Sequence, residues 1–97
     1  MQNITGQELE GASETRVVDV REEWEYAAGH VPGAVNIPMS TIGDRLGELP
    51  EGPFAVICAV GGRSGRVAQA LDARGYDVAN IDGGTDAWVA AGYPIER

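Results

Sequence analysis

The sequence predicts an α/β domain with a central, mainly parallel sheet. Short apolar runs alternate with segments of helical spacing along the whole chain, the pattern of strands linked by helices. One run, Phe54-Ala55-Val56-Ile57, leads into Cys58, a glycine turn and a helical segment. At 97 residues there is room for one core, so residues 1–97 are read as one domain.

The elements follow in order. Thr5 with Glu8 fits a capping box that opens a short first helix. Val17-Val18-Asp19-Val20 reads as the first buried strand. Glu22 to Ala28 reads as a helix, acidic in its first turn and closed near Gly29. Its Trp24, Ala27 and Ala28 share a face that is expected to be core. Ala34 to Ile37 is a short strand stopped by Pro38, and Thr41 to Leu49 a helix stopped by Pro50. Phe54 to Cys58 is the central strand. Ser64 to Arg74 is the clearest helix, with Val67, Ala70, Leu71 and Arg74 at 3,4 spacing and Gly75 at the C′ position. Val78 to Ile81 is the last strand. Thr85 to Ala91 is the last helix, with Gly92 and Pro94 after it.

Cys58-Ala59-Val60-Gly61-Gly62-Arg63-Ser64 carries the chemistry. A free thiol has a pKa near ~8.5, so about 3% is ionised at neutral pH, and only the thiolate is a good nucleophile. Three features of the loop lower that pKa. The helix after it turns its positive end toward the loop. Gly61 and Gly62 allow successive N–H groups to converge on an anion. Arg63 adds a permanent charge and a planar fork of donors. The plainer alternative is a buried structural cysteine at a strand end. The glycine pair, the arginine and the helix start favour a thiolate nucleophile, or an anionic adduct of one. Strand ends of this kind are also where open α/β sheets form ligand crevices.

Composition narrows the partners. A net charge of −8 argues against nucleic acid and anionic membrane. A single cysteine excludes an internal disulfide and an internal resolving thiol, so another molecule must discharge any sulfur adduct on Cys58. With His30 as the only histidine there is no cluster for zinc, and no metal or other cofactor is expected. No stretch reads as a secretion signal or reaches the ~20 apolar residues of a membrane span, so a cytoplasmic location is the default expectation.

Three segments together resemble the rhodanese family of sulfurtransferases. The first is Val18-Asp19-Val20-Arg21 with Glu25-Tyr26-Ala27-Ala28-Gly29-His30-Val31-Pro32-Gly33-Ala34. The second is the Cys58–Ser64 loop. The third is Ile81-Asp82-Gly83-Gly84-Thr85-Asp86-Ala87-Trp88 with Gly92-Tyr93-Pro94-Ile95. The resemblance implies a three-layer domain with a mostly parallel five-stranded sheet between helices. It implies that Cys58 accepts a sulfane sulfur from a donor, thiosulfate or a persulfide, and passes it to cyanide or a thiol by double displacement. Ala59, Val60, Gly61, Gly62, Arg63 and Ser64 would then hold the persulfide and its donor. The Cys-x4-Arg spacing is one residue shorter than the Cys-x5-Arg of related phosphatases and arsenate reductases, and so favours a terminal sulfur over a tetrahedral oxyanion. The alternative within the same resemblance is a non-catalytic binding or regulatory module, a reading that the retained cysteine and complete loop disfavour.

Other residues take supporting roles. Asp19 and Arg21, at the end of a strand expected beside the Cys58 strand, pin the active loop or each other. His30 is expected to bond the local backbone rather than substrate. Trp88 packs in the core or at its rim. Gly83-Gly84 reads as a strand-to-helix turn. Arg63 is the loop's only cation in an acidic chain, so a low-molecular-weight persulfide or a persulfidated protein competes with thiosulfate as the donor.

Overall fold

The apolar runs become strands because each supplies side chains to two packed faces. In the computed structural model, which describes all 97 residues, the strands are β1 (Gln2–Thr5), β2 (Val17–Asp19), β3 (Val35–Asn36), β4 (Phe54–Ile57) and β5 (Val78–Asp82). They form one sheet in the order β1-β5-β4-β2-β3, with every pairing parallel. The helices are α1 (Gly6–Gly11), α2 (Glu23–Ala28), α3 (Gly62–Ala73) and α4 (Gly84–Ala90).

The two-residue period of the strands divides the core. Val18, Val20, Phe54, Val56, Cys58 and Val78 pack with Val67, Ala68 and Leu71 of α3. Val17, Ala55, Ile57 and Ile81 pack on the other face with Leu9 of α1 and Trp88 of α4. The chain steps from β2 outward to β3, and later from β4 outward to β5 on the other side. Strand order therefore reverses between β2 and β4, and a crevice opens at the C-terminal ends of such neighbours. Cys58 is the first residue beyond β4.

Several local features match the sequence reading. The Glu8 amide donates to Thr5 Oγ1 at 3.1 Å, and the Thr5 amide donates to Glu8 Oε1 at 3.1 Å. Gly75 adopts φ +94° after α3, and its amide reaches the Asp72 carbonyl at 2.9 Å.

Other features differ. β1 was not predicted, because Gln2-Asn3-Ile4-Thr5 has one apolar residue and no period. It forms as an exposed edge strand against β5. The helix expected from Thr41 to Leu49 is two 3-10 turns, Ile42–Asp44 and Leu46–Glu48. Gly43 and Gly47 weaken helical propagation there. α3 starts at Gly62, two residues before the expected Ser64, and its buried face is Ser64, Val67, Ala68 and Leu71; Ala70 and Arg74 are exposed. Trp24, Ala27 and Ala28 are exposed as well, Trp24 at 75%. α2 turns Tyr26 inward instead: the ring packs on the second core, and the hydroxyl donates to the Ala34 carbonyl.

Candidate active site

Cys58 is 1% exposed and sits on the α3 side of the sheet. Gly61 caps α3 with φ +104°, a backbone region that favours glycine. That turn aims the Gly61 amide at the sulfur, 3.1 Å from Sγ. The Ser64 hydroxyl is 3.3 Å from Sγ. Burial pushes the thiol pKa up. The Ser64 hydroxyl and the amides of Ser64, Gly61 and Val60 more than offset it, and the pKa falls below the ordinary thiol value.

α4 holds the first part of the loop in place. Its first free N–H groups are spent on the loop: Thr85 donates to the Cys58 carbonyl at 2.8 Å and Asp86 to the Ala59 carbonyl at 3.0 Å. In a trans peptide the next N–H points opposite to the carbonyl, so the Ala59 and Val60 amides turn away from α4. Gly84 makes this approach possible. Its φ is +59°, and a Cβ there would collide with the Cys58 carbonyl and lie 2.5 Å from that of Ala59. The Gly83-Gly84 turn is thus a strand-to-helix turn whose positive end is occupied by the Cys58 loop.

Ser64 is held from behind by Asn80 of β5. The serine Oγ is 2.6 Å from Asn80 Oδ1, and Asn80 Nδ2 donates to Asn3 Oδ1 at 3.1 Å and to the Gly61 carbonyl at 3.4 Å. Both Ser64 and Asn80 are buried. Sequence reasoning missed Asn80; a polar residue inside the apolar Val78–Ile81 run was the available signal.

Arg63 is bound to Glu25 of α2 by two bonds, Nη1 to Oε1 at 2.8 Å and Nη2 to Oε2 at 2.9 Å. Glu25 Oε1 also accepts the Glu22 amide at 3.0 Å. The Arg63 fork holds the Glu25 carboxyl far below its usual range, down to about 2, and Glu25 in turn raises the Arg63 pKa. The sequence placed Glu25 in the acidic first turn of a helix and in the first family-like segment, and gave it no partner. Its pairing with Arg63, 38 residues away, is a tertiary event.

Asp19 and Arg21 pin each other. Arg21 Nη2 lies 2.8 Å from Asp19 Oδ2, Arg21 Nε 3.0 Å from Oδ1, and Nη2 also donates to the Gly29 carbonyl at 2.8 Å. None of their side-chain hydrogen bonds reaches the Cys58 loop. The strand period accounts for this: Asp19 alternates with Val18, so it faces away from the layer that holds Cys58. His30 bonds local backbone, as expected. Its Nδ1 is 2.8 Å from the Tyr26 carbonyl, and its ring stacks on Tyr26 at 3.7 Å. Trp88 is buried, and its indole N–H donates to the Pro94 carbonyl at 2.7 Å. No three His, Cys, Asp or Glu side chains are placed to share a metal ion.

The family model for the rhodanese-like domain matches residues 5–91. The chain belongs to the rhodanese-like domain family. A crystal structure of a rhodanese-related protein from Thermoplasma volcanium superimposes on this rhodanese-like domain with a TM-score of 0.93. The two are 32% identical, covering 99% of this chain and 98% of that one. A protein of Allochromatium vinosum named sulfurtransferase is 37% identical over 92% of this chain and 85% of its own length. The HTH-type transcriptional regulator Rv0324 of Mycobacterium tuberculosis is 40% identical over 89% of this chain, which spans only 39% of the regulator. A five-stranded sheet between helices, read from the sequence as a family expectation, is the observed fold.

Proposed function

We propose that this rhodanese-like domain is a sulfurtransferase that carries sulfur as a persulfide on Cys58. The observation that carries the proposal is the convergence of the Gly61 amide and the Ser64 hydroxyl on a buried sulfur with a lowered pKa. In the first half-reaction the Cys58 thiolate attacks the outer sulfur of the donor. A sulfur–sulfur bond forms to Cys58, the donor's own sulfur–sulfur bond breaks, and the donor leaves as a thiolate or as sulfite. In the second half-reaction cyanide or a thiol attacks the terminal sulfur and Cys58 leaves as a thiolate again. No base is needed once Cys58 is ionised. The terminal sulfur of the intermediate is anionic, and the amides of residues 59–64 form its binding site, with the helix N-terminus behind them. The donor is thiosulfate or a persulfide, small or protein-borne. Sulfur transfer of this kind needs neither nucleic acid nor a membrane, and the proposed setting is the cytoplasm. No helix of the chain is long and apolar enough to cross a membrane.

Intact mass tests the reading. Incubation with thiosulfate or a hydropersulfide is expected to add one sulfur, about 32 Da, and cyanide to remove it, as double displacement requires. Cys58→Ser is expected to keep the fold, since the side chains are close in size, and to lose both the adduct and turnover. Folded wild-type protein that takes no sulfur from either donor would favour a non-catalytic module, a role compatible with the match inside a transcriptional regulator.

A further inference from the structure

The loop's only cation is already paired. Arg63 spends two N–H groups on Glu25, whose carboxylate is fixed a third time by the Glu22 amide. Both groups are largely shielded, the Glu25 side chain at 15% exposure and that of Arg63 at 33%. The nearby Arg21 is neutralised by Asp19 in the same way. Arg66, three residues beyond Arg63, is exposed to water, where its charge is screened. The apolar Val60, by contrast, is 67% exposed within the loop itself.

We infer that Glu25 sets donor specificity, and that the chemical group selected is an alkyl hydropersulfide rather than the thiosulfate dianion; this rests on the sulfurtransferase reading above. Thiosulfate presents negative charge on the sulfur under attack and on its sulfonate oxygens. A thiolate approaches it only where a free cation offsets the repulsion. Glu25 takes up that cation and adds a carboxylate beside it. A hydropersulfide carries at most one negative charge, and its protonated form R–S–SH, the form that can expel a thiolate, needs no such offset; its alkyl group has Val60 to pack against. The step balances as Cys58–S⁻ plus R–S–SH giving Cys58–S–S⁻ plus R–SH. One sulfur–sulfur bond forms, one breaks, and the proton of the transferred sulfur passes to the departing thiolate, which leaves the terminal sulfur anionic among the loop amides. Glu25 touches no reacting atom and acts through Arg63.

The test is the initial rate of sulfur loading on Cys58, read by intact mass, with thiosulfate and with the hydropersulfide of N-acetylcysteamine. Glu25→Gln is the main variant. It removes the charge and retains an amide oxygen for the Glu22 N–H, so the start of α2 is preserved. Freeing a charge-assisted donor corresponds to a gain on the order of 10- to 100-fold. The ratio of thiosulfate to hydropersulfide loading is therefore expected to rise on that order in Glu25→Gln, and also in Glu25→Ala. Glu25→Asp, which keeps the charge, is expected to hold the wild-type ratio. A merely structural role would lower both rates together in the neutral variants and leave the ratio unchanged; that outcome, or a lower ratio in folded protein, would overturn the inference. Wild-type protein that loads from neither donor would instead overturn the sulfurtransferase reading.

Discussion

Ser64 has a single hydroxyl proton and three acceptors around it, Asn80 Oδ1 at 2.6 Å, Cys58 Sγ at 3.3 Å and the Gly61 carbonyl at 3.3 Å. The Gly61 carbonyl and Asn3 take the Asn80 NH2 group, so its oxygen is turned toward Ser64. A proton given to Asn80 is withheld from the thiolate. The two residues thus act on Cys58 in opposite directions. Ser64→Ala removes a donor and is expected to move the midpoint of iodoacetamide alkylation to higher pH. Asn80→Leu removes the nearest competing acceptor, leaves the hydroxyl to the sulfur and the Gly61 carbonyl, and is expected to move the midpoint to lower pH. Rate against pH for both variants, with folding checked by circular dichroism, tests the pair. Shifts in the same direction would refute the competition.

The Arg63–Glu25 bridge also joins two elements, α3 and α2, which are held on different sides of the crevice by β4 and β2. Its pH dependence follows from the Glu25 carboxyl, lowered from 4.5 to about 2 in the folded chain. A depressed carboxyl pKa stabilises the fold fully above the unfolded value, because only the unfolded chain takes up a proton between the two values. Stability from the bridge is therefore present above about pH 4.5 and is lost as pH falls toward about 2. Partial exposure of Arg63 weakens the effect through solvent screening. Urea unfolding of wild type and Glu25→Gln from pH 6 to pH 3 is expected to show the wild-type advantage shrinking with acid. A constant gap across that range would mean that the bridge does not control acid stability.

At the scale of the whole molecule, the charge of −8 is spread over a body of 34 × 26 × 22 Å. The screening length is roughly 30 Å at 10 mM salt and about 8 Å at 150 mM. At low salt nearly the whole surface therefore repels an approaching dianion. At physiological salt only the groups around the mouth do so. Loading from thiosulfate is accordingly expected to speed up several-fold between these salt concentrations, with a smaller change for the hydropersulfide, which carries at most one negative charge and reacts in its protonated form. Stopped-time mass measurements at fixed pH would show it. A fall in the thiosulfate rate with added salt would mean that the local field at the mouth is positive despite the acidic surface.

Four of the five strands, the four α-helices, the place of Cys58 at a strand end and the glycine turn after it were legible in the sequence. Each depends on neighbours within a few residues: apolar runs, capping residues, glycines at positive φ. The resemblance of the three segments supplied the fifth strand as a number but not as residues, because β1 owes its extended form to pairing with β5. The same limit applies to Trp24. Spacing on one short helix defines a face but not which face turns inward, and contact with the second core chose Tyr26. Only the tertiary structure decided the partners of the charged and polar side chains. Arg63 met Glu25 and Asn80 met Ser64, whereas the Asp19–Arg21 pair, two residues apart, was one of the two alternatives the sequence offered. An ion pair or buried hydrogen bond between distant segments depends on which backbone surfaces the sheet order brings together, and no local pattern encodes that distance.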